Sequence, residues 1–252
     1  MRRVLSLLSL SLLPFLSPTA LMGQSRPPGA APISMAIGFG SAVAISGDEM
    51  LIGRPGQVLG FPMPASQTGA VYIFRRGPGG GWAQTATATA SGLTIQDGFG
   101  TAISVDGYLM AVGAPGTSEE RGAVYVFERE ASARWVERAR LTAASSAAGD
   151  RLGRAVALRG GVLLAGSPGK EDRPGRVVVF TRGGNSWTEQ GTLVGSSADP
   201  KERFGIAVAL TNQHALVGAP GQVFGDSAGA GRAVVFRRSG DTWVKESVLG
   251  AQ

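Results

Sequence analysis

The chain writes one short strand four times: GAVYIF at 69–74, GAVYVF at 122–127, GRVVVF at 175–180 and GRAVVF at 231–236. A repeat of near-constant period constrains folding more tightly than composition does. Each unit presents the same apolar faces and has to bury them against copies of itself. Every copy sits in a longer frame that opens at Phe39-Gly40, Phe99-Gly100, Leu152-Gly153 and Phe204-Gly205. Fifteen residues after each glycine stands a proline, at Pro55, Pro115, Pro168 and Pro220, within GRP, GAP, GSP and GAP. Seven or eight residues past the Phe of each strand comes a tryptophan: Trp82, Trp135, Trp187 and Trp243, all four in the protein. The unit is 52 to 60 residues long.

Each unit holds four strand candidates. In the second they are 101–105, 109–113, 123–127 and 135–142, parted by turn residues such as Asp106-Gly107 and Pro115-Gly116. The first strand alternates small with branched residues, Ala102 and Ser104 against Ile103 and Val105, which suits a strand crowded near an axis where sheets converge. The second and third are nearly continuous apolar runs, the pattern of sheets covered on both faces. The fourth mixes Trp135 and Val136 with Glu137, Arg138 and Arg140, as an outer strand half in water does. The fold class is therefore all-β: a β-propeller of four-stranded antiparallel blades, either a closed four-blade ring or part of a larger propeller. The Trp and the aromatic of each "FG" pack between blades.

The order FG, GAP, GAVYVF, Trp resembles the FG-GAP repeat family, the blades of the integrin α-chain head and of many secreted bacterial proteins. The resemblance is closer to the bacterial branch and runs from Phe39 to about Ala251. It implies propellers that usually carry about seven blades, with adhesion and ligand binding on a loop-bearing face. Many members also carry a calcium loop of alternating aspartates between the first two strands. Here those connections are tight turns, and two of the four, Arg159-Gly160-Gly161 and Thr211-Asn212-Gln213, hold no acid, so the calcium site is not carried over and no cofactor is expected.

Residues 1–23 read as a secretory signal peptide: Arg2 and Arg3 precede an apolar run from Val4 to Leu16, then a less apolar stretch. Residues 24–38 form a linker, and 39–252 the repeats, at about 39–98, 99–151, 152–203 and 204–252. The expected location is secreted, extracellular or cell envelope, without stable membrane insertion after cleavage. With no Cys, neither disulfides nor thiolate metal sites hold the fold. Lys and Arg number 24 against 18 Asp and Glu, scattered rather than striped, which argues against a nucleic-acid partner.

Catalytic motifs are hard to find. His214 is the one histidine and opens a strand. Ser167 takes the Ala place of GAP rather than a nucleophile elbow. Asp97, Asp150 and Glu202 recur two residues before the second, third and fourth "FG" motifs and read as turn caps. The expectation is a protein that is not an enzyme: a non-catalytic binding or adhesion module for an extracellular protein or glycan. The alternative is a propeller hydrolase or lyase acting on extracellular polysaccharide, since propeller loops bring distant acids together. A structural scaffold in an envelope assembly is a third reading.

One interval varies. From the GAP proline to the GAVYVF glycine the chain spends 14, 7, 7 and 11 residues, and insertions confined to one connection map to one face of a repeat fold. The two long loops carry apolar residues where a plain turn would be polar, which makes Val58, Leu59, Phe61, Val223 and Phe224 the candidate ligand-binding residues, the alternative being that they fold back to cover blade edges. An open arc of blades would also leave apolar faces in water, with self-association as one remedy.

Overall fold

A computed structural model describes residues 38–56, 68–169, 173–195, 202–221 and 231–250. Sixteen strands among them form four antiparallel sheets of four, each in chain order. Blade 1 comprises β1 (Ala42–Ser46), β2 (Glu49–Arg54), β3 (Ala70–Arg76) and β4 (Trp82–Ala88). Blade 2 comprises β5 (Ala102–Asp106), β6 (Leu109–Ala114), β7 (Ala123–Arg129) and β8 (Trp135–Leu141). Blade 3 comprises β9 (Ala155–Arg159), β10 (Val162–Ser167), β11 (Arg176–Gly183) and β12 (Ser186–Val194). Blade 4 comprises β13 (Ala207–Leu210), β14 (His214–Ala219), β15 (Arg232–Ser239) and β16 (Thr242–Gly250).

The first strand of each blade lies innermost: β1 packs on β5, β5 on β9 and β9 on β13. The alternation read from sequence settles the faces. In blade 2 the small residues look toward blade 3, while Ile103 and Val105 join Met110, Val112, Tyr125, Phe127 and Phe99 against blade 1. The same division recurs between blades 2 and 3 and between blades 3 and 4, giving three apolar layers. Phe99 meets Tyr125 and Phe127 edge-on, with ring centroids 5.5 and 5.9 Å apart, and Phe204 meets Phe236 at 6.2 Å. Such pairs add to the stabilisation from buried area.

β6 and β10 are buried at every position, as their apolar runs require. β14 alternates between exposed and buried, because one side of blade 4 has no neighbouring blade among the described residues. The matching side of blade 1 has none among them either. Phe39 is 44% exposed, Val43 70% and Ile45 68%, where Phe99 is fully buried. No apolar layer joins blade 4 to blade 1 among the described residues.

All four blades carry one β-bulge at the same place, opposite the junction of the third strand's fourth and fifth residues: 73/74, 126/127, 179/180 and 235/236. The extra residues on the outer strands are Thr85, Arg138, Gln190 and Glu246. A bulge bends the strand and re-aims the side chain it carries. The connection after β6 holds Ser118, Glu119 and Glu120 in left-handed conformations. Carbonyls of this connection accept from the segment that leads into blade 3: the amide of Gly149 donates to Glu119 O, that of Arg151 to Glu120 O and that of Leu152 to Arg121 O, at 3.2, 2.7 and 3.1 Å.

Candidate functional site

The third strands place an arginine at one register position in every blade: Arg76, Arg129, Arg182 and Arg238. In blades 2 and 3 it reaches back toward the preceding blade. What it meets differs between the two junctions, and that difference makes a site.

At the junction of blades 1 and 2 the wedge is full. Glu49, nearly buried, receives the Nε–H of Arg75 at 2.6 Å and faces Arg129 Nη1 at 3.4 Å. Arg75 also donates to the carbonyl of Ala133 at 3.2 Å, and Trp135 closes the layer beneath. Two guanidiniums around one carboxylate compensate the cost of removing that charge from water.

At the junction of blades 2 and 3, Leu109 stands where blade 1 has Glu49, and the carboxylate moves to Glu128, where blade 1 has Arg75. The wedge opens into a cleft of about 460 Å³ lined by Leu109, Val126, Glu128, Arg138, Arg182, Asn185 and Trp187. Glu128 lies between two guanidiniums, 3.7 Å from Arg138 Nε and 3.6 Å from Arg182 Nη2. Arg182 Nη1 donates to the Tyr108 hydroxyl at 2.7 Å. Arg138, the bulged residue of β8, donates through Nη2 to Glu130 at 3.1 Å, and Arg134 stands 3.3 Å from the same carboxyl group. Trp187 packs on the apolar layer between blades 2 and 3 while lining the cleft. The lining thus combines an indole, a pair of guanidiniums and an amide. That combination suits a sugar bearing a carboxylate: the indole covers a pyranose face, and planar guanidiniums take carboxylates two bonds at a time.

Taken within its own repeat, Arg138 reads as an outer-strand charge, Trp187 as inter-blade packing, and Glu128 and Arg182 as the polar ends of third strands, so nothing along the chain joins them. The one available signal was the exchange of Glu49 and Arg75 for Leu109 and Glu128 at matching positions, which shows only when blades are compared across their junctions. The recurrent acids behave as caps. Asp97 accepts the Thr94 amide at 2.7 Å, and Asp150 accepts the Ala147 amide at 2.9 Å and Arg176 Nη2 at 2.8 Å. Glu202 pairs with Arg232 at 3.4 Å. His214 begins β14 and lies 3.5 Å from Glu246. Val58, Leu59, Phe61, Val223 and Phe224 lie outside the described residues. No helix among the described residues is long and apolar enough to cross a membrane.

A family model described as FG-GAP repeat matches residues 38–74, 82–127, 135–180 and 187–236. No curated sequence matches the chain. Among solved structures, one from Lactobacillus plantarum superimposes with a TM-score of 0.52 at 16% identity, covering 83% of this chain and 70% of that one. Another, the periplasmic gluconolactonase PpgL of Pseudomonas aeruginosa, gives 0.44 at 13% identity, over 83% and 72%. At such identities the likeness concerns the fold alone. The expectation that the chain is not an enzyme is nevertheless withdrawn, since it rested on motifs sought along the chain and the propeller fold carries no such exclusion. The physical reason lies in the architecture. A blade junction assembles side chains from strands far apart in sequence, so the lack of a contiguous nucleophile or metal motif excludes nothing, and the cleft beside Arg138 and Arg182 is an instance.

Proposed function

The chain belongs to the FG-GAP repeat family, and from the cleft that its second and third blades enclose we propose that it is an extracellular propeller that cleaves an acidic polysaccharide. The extracellular assignment rests on the signal-like segment at 1–23. The observation that carries the substrate class is the pairing of Arg138 and Arg182 with Trp187 across one cleft. A uronate carboxylate entering there exchanges places with Glu128, its sugar ring lying on the indole and Asn185 meeting its hydroxyls.

Of hydrolysis and elimination, the residues favour elimination. Both carboxylates near the cleft, Glu128 and Glu130, are engaged by guanidiniums, which suits them to hold the arginines rather than to give up a proton. Neutralising a uronate carboxylate on Arg182 and Arg138 makes the proton on the adjacent ring carbon removable. The Tyr108 hydroxyl, which accepts from the cleft residue Arg182 at 2.7 Å, is the group assigned to the proton transfer. Its oxygen takes the carbon-bound proton while its own hydroxyl proton passes to the departing glycosidic oxygen; a carbon–carbon double bond forms, the glycosidic carbon–oxygen bond breaks with its electron pair on that oxygen, and no water is consumed.

The test is incubation of the chain with soluble polyuronates, followed by ultraviolet absorbance for the unsaturated product and a reducing-end assay. Both signals together support elimination. New reducing ends without absorbance mean hydrolysis, and binding with neither signal refutes cleavage. Tyr108→Phe is expected to lower kcat at least about a hundredfold with KM little changed.

A further inference from the structure

Three blade junctions repeat one contact so faithfully that the two unmatched faces can be compared with them residue by residue. At each junction a glycine of the second strand lies against the "FG" glycine of the next blade. A methyl group on Gly53 would collide with the backbone of Gly100, one on Gly113 with Gly153 and one on Gly166 with Gly205. Only a bare backbone passes there. Gly218 holds this position in blade 4, yet a methyl group on it meets only Ala207 of its own blade, 3.3 Å away. Gly40 holds the complementary position in blade 1 and has nothing within 4 Å.

The side chains tell the same story. Toward the next blade, blade 3 presents Ala157, Leu164, Val177, Val179 and Leu193, all buried against blade 4. Blade 4 presents in the same register Ala209, Leu216, Ala233, Val235 and Leu249, of which Leu216 and Leu249 are exposed. Toward the preceding blade, blade 2 buries Phe99, Met110, Val112, Tyr125 and Phe127. Blade 1 offers Phe39, Met50, Ile52, Tyr72 and Phe74, with Val43 and Ile45 beside the axis. Charge agrees as well. Arg76 occupies the place from which Arg129 and Arg182 reach across a junction. On blade 4 the bulged Glu246 stands where Arg138 does, 3.5 Å from His214 and from Arg237.

We infer that the open face of blade 4 seats the open face of blade 1 of a second copy of this chain, head to tail, so that two copies close an eight-bladed ring. The occupant is a second copy because the only surface on the page that reproduces a blade's preceding face, down to the unfilled glycine and the reaching arginine, is the chain's own blade 1. A head-to-tail contact either closes or grows without limit. Two copies give eight blades, the upper end of what propellers ordinarily carry, whereas three would exceed it. In each junction Arg76 of one copy faces Glu246 of the other.

Light scattering coupled to size-exclusion chromatography on the full exported chain tests this at micromolar concentration. Twice the mass of one chain is expected. Val43→Glu with Ile45→Glu breaks the blade 1 face, and Gly218→Ala breaks the blade 4 face, its own blade having only to yield slightly at Ala207, 3.3 Å from the added methyl. Each variant alone is expected at the mass of one chain with unchanged far-ultraviolet circular dichroism. Mixing the two variants restores one intact junction and with it a dimer, which a pair of misfolded chains would not form. A single-chain mass for the wild type, a ladder of species growing with concentration, or a dimer that survives in both variants would overturn the inference.

Discussion

Phe99 and Phe39 occupy the same place in successive repeats, yet the structure assigns them unequal energies. Phe99 is fully buried between blades 1 and 2 with two edge-on aromatic neighbours, whereas Phe39 is 44% exposed beside its equivalents Tyr72 and Phe74. Truncating a buried Phe removes its transfer free energy and leaves a cavity that a two-sided sheet stack collapses poorly, so Phe99→Ala is expected to cost about 3–5 kcal/mol. For a propeller of this size that lowers Tm by roughly 6–20 °C. Phe39→Ala loses about half the burial, opens no cavity because that face is already open to water, and is expected to cost about 1–2 kcal/mol. Urea unfolding of both variants, run dilute enough that blade faces on different copies stay apart, measures the difference. A gap of about 1–4 kcal/mol, with Phe99→Ala the larger loss, is the predicted result. Equal losses at every dilution, or a loss below about 1 kcal/mol for Phe99→Ala, would refute the reasoning that successive blades bury this ring between them.

Glu49→Gln leaves Arg75 and Arg129 facing each other across a nearly closed wedge, and because both arginines are about a third exposed the expected loss is about 1–3 kcal/mol rather than the full buried-pair value, read from the urea midpoint. Tyr125 has its pKa raised above 10.0, chiefly by burial of the phenol, so the folded state keeps the proton that the unfolded chain loses. Stability should therefore be full below about pH 10 and fall as pH rises beyond it, and Tyr125→Phe should flatten that decline in urea midpoints taken across the alkaline range. Arg138→Ala removes a partly exposed guanidinium from the cleft, and calorimetric titration with oligouronates is expected to show at least about tenfold weaker binding with Tm nearly unchanged.

The blades were legible because spacing is a one-dimensional quantity. The constant interval from each "FG" to its proline fixes the first two strands and their turn, and the observed bounds of β5 to β8 fall within two residues of those read from the sequence. Face assignment was legible too, since Ala102 and Ile103 must point opposite ways. The open arc was not, because exposure of Val43 and Ile45 depends on which blades meet, and identical repeats say nothing of where a ring fails to close. The cleft escaped for a related reason. It joins Glu128 and Arg138 of one blade to Arg182 and Trp187 of the next, and arises from the exchange of Leu109 for Glu49 at equivalent positions sixty residues apart. The expected absence of catalysis followed from looking for motifs along the chain in a fold that builds its sites across it.

A crystal structure of the chain, with blades counted around the axis, bears most directly on the idea that each copy of GAVYVF marks a sheet whose two sides must be covered by its like. The account predicts eight blades from two chains, Gly218 of each lying against Gly40 of the other. A four-blade ring closed by contact of β13 with β1, or blades stacked along a straight axis, would contradict it.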